Sequence, residues 1–271
     1  MIIRKAALRG GHRGRVSFVC GVLVAAALAA ATPGALAQAR DAKSILKAMS
    51  DYVSSQKSIE FTFDSDIEVI TPQMEKIQFT NSGDVLISRP DKLRAHRVGG
   101  YADVTLYYDG KAASILGKHI NGYAQIDAPG NLDHLFEALR AGHGVALPGA
   151  DLFLSNAYDV LVFGIKEAKH IGRGVIDGVE CEHLAFRNDD TDWQLWVELG
   201  QRSIPRKLVI TSKTLNSGPQ YTLRVKSWKT GVTPARDAFA FTPPSGAEKL
   251  SPDNLIMLDE LPPDAPTGEK R

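Results

Sequence analysis

Residues 177–213 read DGVECEHLAFRNDDTDWQLWVELGQRSIPRKLVITSK, and this stretch decides the fold. It holds three successive runs of period two and no helical period. The first run sets Cys181, His183, Ala185 and Arg187 on one side of the chain and Glu182, Leu184 and Phe186 on the other. The second sets Trp193, Leu195, Val197 and Leu199 against Gln194, Trp196 and Glu198, and the third alternates around Leu208, Val209 and Ile210. Successive side chains of a strand point to opposite faces, so such runs predict antiparallel strands with one face on an apolar interior and the other in water. Asp177-Gly178 supplies a hairpin turn, and Asp189, Asp190 and Asp192 fall between two runs, where a solvated turn is expected in place of a metal or glycosidase site.

Upstream, residues 42–53 carry Ile45, Leu46, Met49, Tyr52 and Val53 at helical spacing behind Asp41, a candidate cap. From Ser58 the period becomes two, with Phe61, Phe63, Ile67 and Val69 separated by polar residues. Strand runs follow at 76–80, 84–88, 92–98, 104–108 and 112–117, with Asn81-Ser82-Gly83 and Asp109-Gly110 as turns between neighbours. Residues 131–140 place Leu132, Leu135, Phe136 and Leu139 on one helical face, ended by Gly142 and Gly144. A second helix is expected over 151–162, too evenly apolar for a surface. A last clear strand covers 221–228. About ten strands and three helices without a strand-helix-strand rhythm predict an α+β, mainly β chain: one large curved antiparallel sheet, or half-open barrel, with helices on its concave face.

The first residues carry Arg4, Lys5, Arg9, Arg13 and Arg15, then an apolar run over 16–31 and Ala35-Leu36-Ala37 before Gln38. This predicts a secretory signal over 1–37, cleaved after Ala37, and a periplasmic mature chain that is not an integral membrane protein. Residues 38–271 hold 27 Lys and Arg against 31 Asp and Glu, which argues against nucleic acid as a partner. They hold one cysteine, Cys181, so stability must come from a core. The expected organisation is one domain over 38–242 and a Pro-rich, partly disordered tail over 243–271, with a split near 142–148 as the alternative.

No catalytic set stands out. Cys181-x-His183 is the one thiol and imidazole pair close in sequence, but Glu180 and Glu182 would point to the opposite face and cannot orient it. His96, His119, His134, His143 and His170 show no zinc-ligand spacing, so neither a metal nor a cofactor is expected. The glycines around Gly99 and Gly172 match no phosphate loop. The expected ligand-binding residues are the large apolar side chains of the strands: Phe63, Tyr108, Phe186, Trp193, Leu195 and Trp196. Trp193 and Trp196 fall on opposite faces of one strand, so at most one of them lines the interior.

Three motifs carry a resemblance: Asp177-Gly178-Val179-x-Cys181-x-His183-Leu184-Ala185-Phe186-Arg187, Asp192-Trp193-Gln194-Leu195-Trp196, and Pro205-Arg206-Lys207-Leu208-Val209-Ile210-Thr211. With Ser88-Arg89-Pro90-Asp91-Lys92-Leu93 and Tyr107-Tyr108-Asp109-Gly110-Lys111, they resemble domain-of-unknown-function family 2092, predicted periplasmic proteins. The resemblance implies a fold similar to the lipoprotein carriers LolA and LolB, a half-open barrel with helices closing a hydrophobic cavity. It brings no established activity and no transferable binding residue. The function expected is non-enzymatic binding of a lipid, a lipoprotein acyl chain or another apolar ligand. The alternative is an interaction module with a self-filled cavity and an envelope protein partner.

Overall fold

The computed structural model describes residues 41–145 and 147–252; the expected signal segment, its cleavage site and most of the Pro-rich tail lie outside the described residues. The chain opens with α1 (Ala42–Ser55), which buries Ala42, Ile45, Leu46, Met49 and Val53 at three- and four-residue spacing. Asp41 occupies the cap position through its backbone: its carbonyl accepts from the Ser44 and Ile45 amides at 3.0 and 3.2 Å, while its carboxylate makes no cap bond.

Six strands follow as a meander: β1 (Ser58–Ile70), β2 (Lys76–Ser88), β3 (Lys92–Gly99), β4 (Asp103–Tyr108), β5 (Ala112–Gly117) and β6 (Gly122–Asp127). Five more come after a helical stretch: β7 (Glu167–Ile176), β8 (Val179–Arg187), β9 (Thr191–Glu198), β10 (Pro205–Ser212) and β11 (Gln220–Thr230). All belong to one sheet ordered β6-β5-β4-β3-β2-β1-β11-β10-β9-β8-β7, antiparallel at every step, with the short β12 (Glu248–Lys249) added in parallel outside β6. The three runs of 177–213 are β8, β9 and β10. The same face of each is buried through Leu184 and Phe186, Trp193, Leu195 and Val197, and Leu208.

Topology puts the helices on the inner face. β6 lies near one edge of the sheet and β7 at the other, so residues 128–166 must cross the whole sheet to join them. That crossing carries α2 (Leu132–Glu137), a π-helical turn over Ala138–Gly142, a 3₁₀ turn over Ala150–Phe153 and α3 (Ala157–Val162). It buries Leu132, Leu135, Phe136, Leu139, Leu152 and Phe153 in the same core as α1 and the inner strand faces. Asn131 caps α2, its side-chain oxygen accepting from the His134 amide at 2.9 Å.

Two expectations are corrected. Asn81-Ser82-Gly83 is no turn: β2 runs through it, paired with β1 from Ser58↔Ser88 to Ile70↔Lys76. The hydroxyls of Ser82 and Thr80 donate to Asp64 and Asp66 on the outer face, each at 2.7 Å. Gly83 is needed for close approach, since a Cβ there would stand 2.6 Å from the Phe63 ring. The expected helix over 151–162 is broken at 154–156, where the Asp133 carboxylate accepts from the Ser155 amide at 2.9 Å and also from its hydroxyl. Beyond the break the segment is not uniformly buried: Val160 is 38% exposed, and Phe163, just past its end, is 83% exposed. β6 adds a strand that the period-two runs above do not include. At the other end, Phe241 packs on Tyr107 and Tyr123 with ring centroids 5.6 and 5.3 Å apart, and the Leu250 amide donates to the Tyr123 carbonyl at 2.7 Å.

Candidate functional site

Strand register stacks the inner face of β1–β6 into layers. The deepest holds Ile59, Ile87, Leu93, Tyr108, Ala113 and Ile126, all buried. The next holds Phe61, Val85, Ala95, Leu106 and Ile115, and the third Phe63, Gly83, Arg97 and Val104. The second layer and Phe63, Arg97 and Val104 of the third, with Ile87 and Leu93 of the deepest, line a cavity of about 540 Å³. Its far wall is the crossing segment: Phe136 and Leu139, the loop through Val145 and Leu147, and Phe153. Phe153 also stacks on Phe61, centroids 5.1 Å apart. Because strands from β11 through β5 contribute same-face residues to one space, the sheet is concave there. The crossing segment roofs that space without filling it.

Of the six expected binding residues, Phe63 lines this cavity. Tyr108 lies in the layer below, where its hydroxyl sits 2.7 Å from the Ala128 carbonyl and 2.8 Å from that of Gly130, anchoring the start of the crossing segment. Burial, helped by the nearby Asp91 and Asp109 carboxylates, raises the Tyr108 phenol above its ordinary value. Phe186, Trp193 and Leu195 are brought together elsewhere, in the core where α1 packs on β8 and β9. There the Phe186 and Trp193 rings stack at 4.0 Å, and the Trp193 indole donates to Asn188 at 3.3 Å. Trp196 is on the outer face, stacked on His183 at 4.1 Å with the Lys207 ammonium 5.0 Å from its ring. Phe61, Val85, Leu106 and Arg97 are cavity residues that the strand runs alone did not single out; the signal was their shared face with Phe63 across four strands.

Cys181 and His183 share the outer face with Trp196. The Cys181 thiol is fully buried, donates to the Val179 carbonyl at 3.4 Å, and is pushed up to about 11 by burial. At neutral pH it is a protonated packing group and a poor nucleophile. His183 Nε2 is 2.9 Å from the Gln194 side-chain oxygen. The acidic cluster sits at the β8–β9 turn, where a hydrogen bond from Arg187 lowers the Asp192 carboxyl and Asp189 lies 3.2 Å from Lys166. Among the described residues no group of three or more His, Cys, Asp or Glu is placed to hold a metal ion. No helix among them is long and apolar enough to cross a membrane.

Comparison with curated proteins gives no match. Among solved structures, the chain is similar to an uncharacterized conserved protein from Thermus thermophilus, with 10% identity and a TM-score of 0.47, over 78% of this chain and 98% of that one. It is similar to the lipoprotein LppX of Mycobacterium tuberculosis, with 14% identity and a TM-score of 0.44, over 70% and 96% of the two chains. It is also similar to a LolA superfamily protein of Nitrosomonas europaea, with 14% identity and a TM-score of 0.33, over 74% and 98%. The family model described as predicted periplasmic protein (DUF2092) matches residues 42–251, and the chain belongs to that family.

Proposed function

We propose that this protein is a non-enzymatic periplasmic carrier or sensor that holds the acyl chain of a lipid or lipoprotein, or a similar apolar ligand, in the cavity between the concave sheet and the crossing segment. The observation that carries this reading is the cavity itself. Its 540 Å³ falls within the range of roughly 300–1,000 Å³ usual for small-ligand sites. Apolar residues of β1–β5 and of the crossing segment dominate its walls. Burying roughly 500 Å² of apolar ligand surface is worth about 12 kcal/mol. Association costs of at least about 4 kcal/mol leave an affinity near micromolar, tight enough to shield a chain and weak enough to release it.

The experiment is native mass spectrometry of protein purified from the periplasm without detergent, followed by solvent extraction. An extracted lipid or fatty acid supports the reading; an empty extract from folded protein that also binds no fluorescent fatty acid sinks it. The second reading, docking of an envelope protein, draws on another region. Among the described residues the edge strand β7 pairs on one side only, and Ile171 and Val175 along it, with Phe163 nearby in sequence, are exposed. An empty cavity would shift attention to that edge.

A further inference from the structure

The cavity has a length as well as a volume. Phe61, Val85, Ala95, Leu106 and Ile115 all line it and are direct cross-strand partners, so they form one row running across the sheet from β1 to β5. Four steps between neighbouring strands, at about 4.8 Å each, make that row about 19 Å long. Both of its ends are closed. At β1 the Phe61 ring stacks on Phe153 and Trp228, with centroids 5.1 and 5.6 Å apart. At β5 the next strand sets the fully buried Ala124 beside Ile115. Below the row, Ile87 and Leu93 make a buried floor, and Phe136 and Leu139 of the crossing segment are buried above it. The lining meets water at the loop of His143, Gly144 and Val145, where Gly144 is exposed and its two neighbours are half-buried.

These dimensions select one chain. A methylene takes up about as much room as a water molecule in the liquid, roughly 30 Å³, so 540 Å³ holds about 18 of them. In a bilayer one acyl chain spans one leaflet, about 15 Å of hydrocarbon, so a row of about 19 Å takes one such chain lengthwise. The two chains of a phospholipid, packed side by side at interior density, need about twice the volume. We propose that the row is a ruler for a single acyl chain of about 16–18 carbons, and that the ligand is a single-chain amphiphile, a free fatty acid or a lysolipid, whose head stays in water beside Gly144. This rests on the reading that the cavity takes an apolar ligand, and it adds how many chains enter and of what length. Ala95 within the row and Ile115 at its end set the limit.

The test measures displacement of a fluorescent fatty acid from the mature protein by the saturated acids from octanoic to docosanoic, by palmitoyl lysophosphatidylcholine and by dipalmitoyl phosphatidylcholine. It is repeated on Ile115→Ala and Ala95→Leu, each checked for folding by circular dichroism. Wild-type affinity should rise about fourfold per added methylene and stop rising at about 16–18 carbons. The lysolipid should bind at least about tenfold tighter than the diacyl lipid. Ile115→Ala takes three carbons from the wall and should move the limit up by about three carbons, whereas Ala95→Leu adds three and should move it down by about three. Shifts of opposite sign separate a ruler from general loosening, which would weaken every ligand alike. Affinity that keeps climbing to docosanoic acid, diacyl binding as tight as that of the lysolipid, or a limit that neither folded variant moves overturns the ruler and leaves the cavity reading standing. Should one variant fail to fold, the other decides. Folded wild type that binds neither the probe nor any of the lipids overturns both.

Discussion

Cys181 shows how a suggestive residue is disarmed by its surroundings. Its thiol is buried mid-strand on the outer face, flanked by the Arg206–Glu198 ion pair, and burial holds it protonated to about 11. Replacement by serine puts a polar group in the same site and should cost about 1–2 kcal/mol of stability with ligand binding unchanged, measured by urea unfolding and probe titration. Folded protein should resist iodoacetamide at pH 8, and rapid labelling would contradict the assignment. Because the folded value is raised, the thiol's contribution is present below about pH 8.5 and is lost as pH rises toward 11. The isolation of Cys181-x-His183 was legible in the sequence, since alternation alone turns Glu180 and Glu182 away. The outward position of Trp196 was legible only as one of two options, because period two separates two faces without saying which is inner. The helix over the sheet decides that, and α1 lies on the Trp193 side.

At the scale of elements, the stretch 177–213 was readable because each strand is short, regular and bounded by turn residues that do act as turns. β2 was not, because Asn-Ser-Gly has the composition of a turn while serving a thirteen-residue strand. Cross-strand bonds from Thr80 and Ser82 to Asp66 and Asp64, and the Phe63 ring over Gly83, are long-range facts that local propensity cannot contain. This assigns a role to Gly83 that a turn glycine would not have. Gly83→Ala would bring its Cβ to 2.2 Å from the His96 carbonyl oxygen and into the Phe63 ring, so it should destabilise the fold by about 1–3 kcal/mol. A turn glycine replaced by alanine at negative φ would cost little, so an unchanged Tm would count against the continuous β2. The break at Ser155 was missed for the same kind of reason: its bonds come from Asp133, on a different helix.

At the scale of the whole molecule, the sheet order explains the function proposed. With β6 and β7 at opposite sides of the sheet, the chain between them has to span the concave face, and a span of short helical pieces leaves space that one long packed helix would fill. The period-two runs and the absence of a strand-helix-strand rhythm predicted a curved sheet with inner helices, whereas the cavity depends on how closely the crossing segment approaches the sheet, which no local pattern encodes. For that reason only Phe63 of the six expected binding residues lines it. The most direct test of the account is to fill the space. Ala95 sits in the cavity wall between Val85 and Leu106. Ala95→Trp should occupy the volume meant for the ligand. Titration of a fluorescent fatty acid is expected to show near-micromolar binding to the wild type and at least tenfold weaker binding to Ala95→Trp, with the variant still folded by circular dichroism. Wild-type protein that takes up no probe, or a folded Ala95→Trp that binds it equally well, would contradict the claim that this cavity is the binding site.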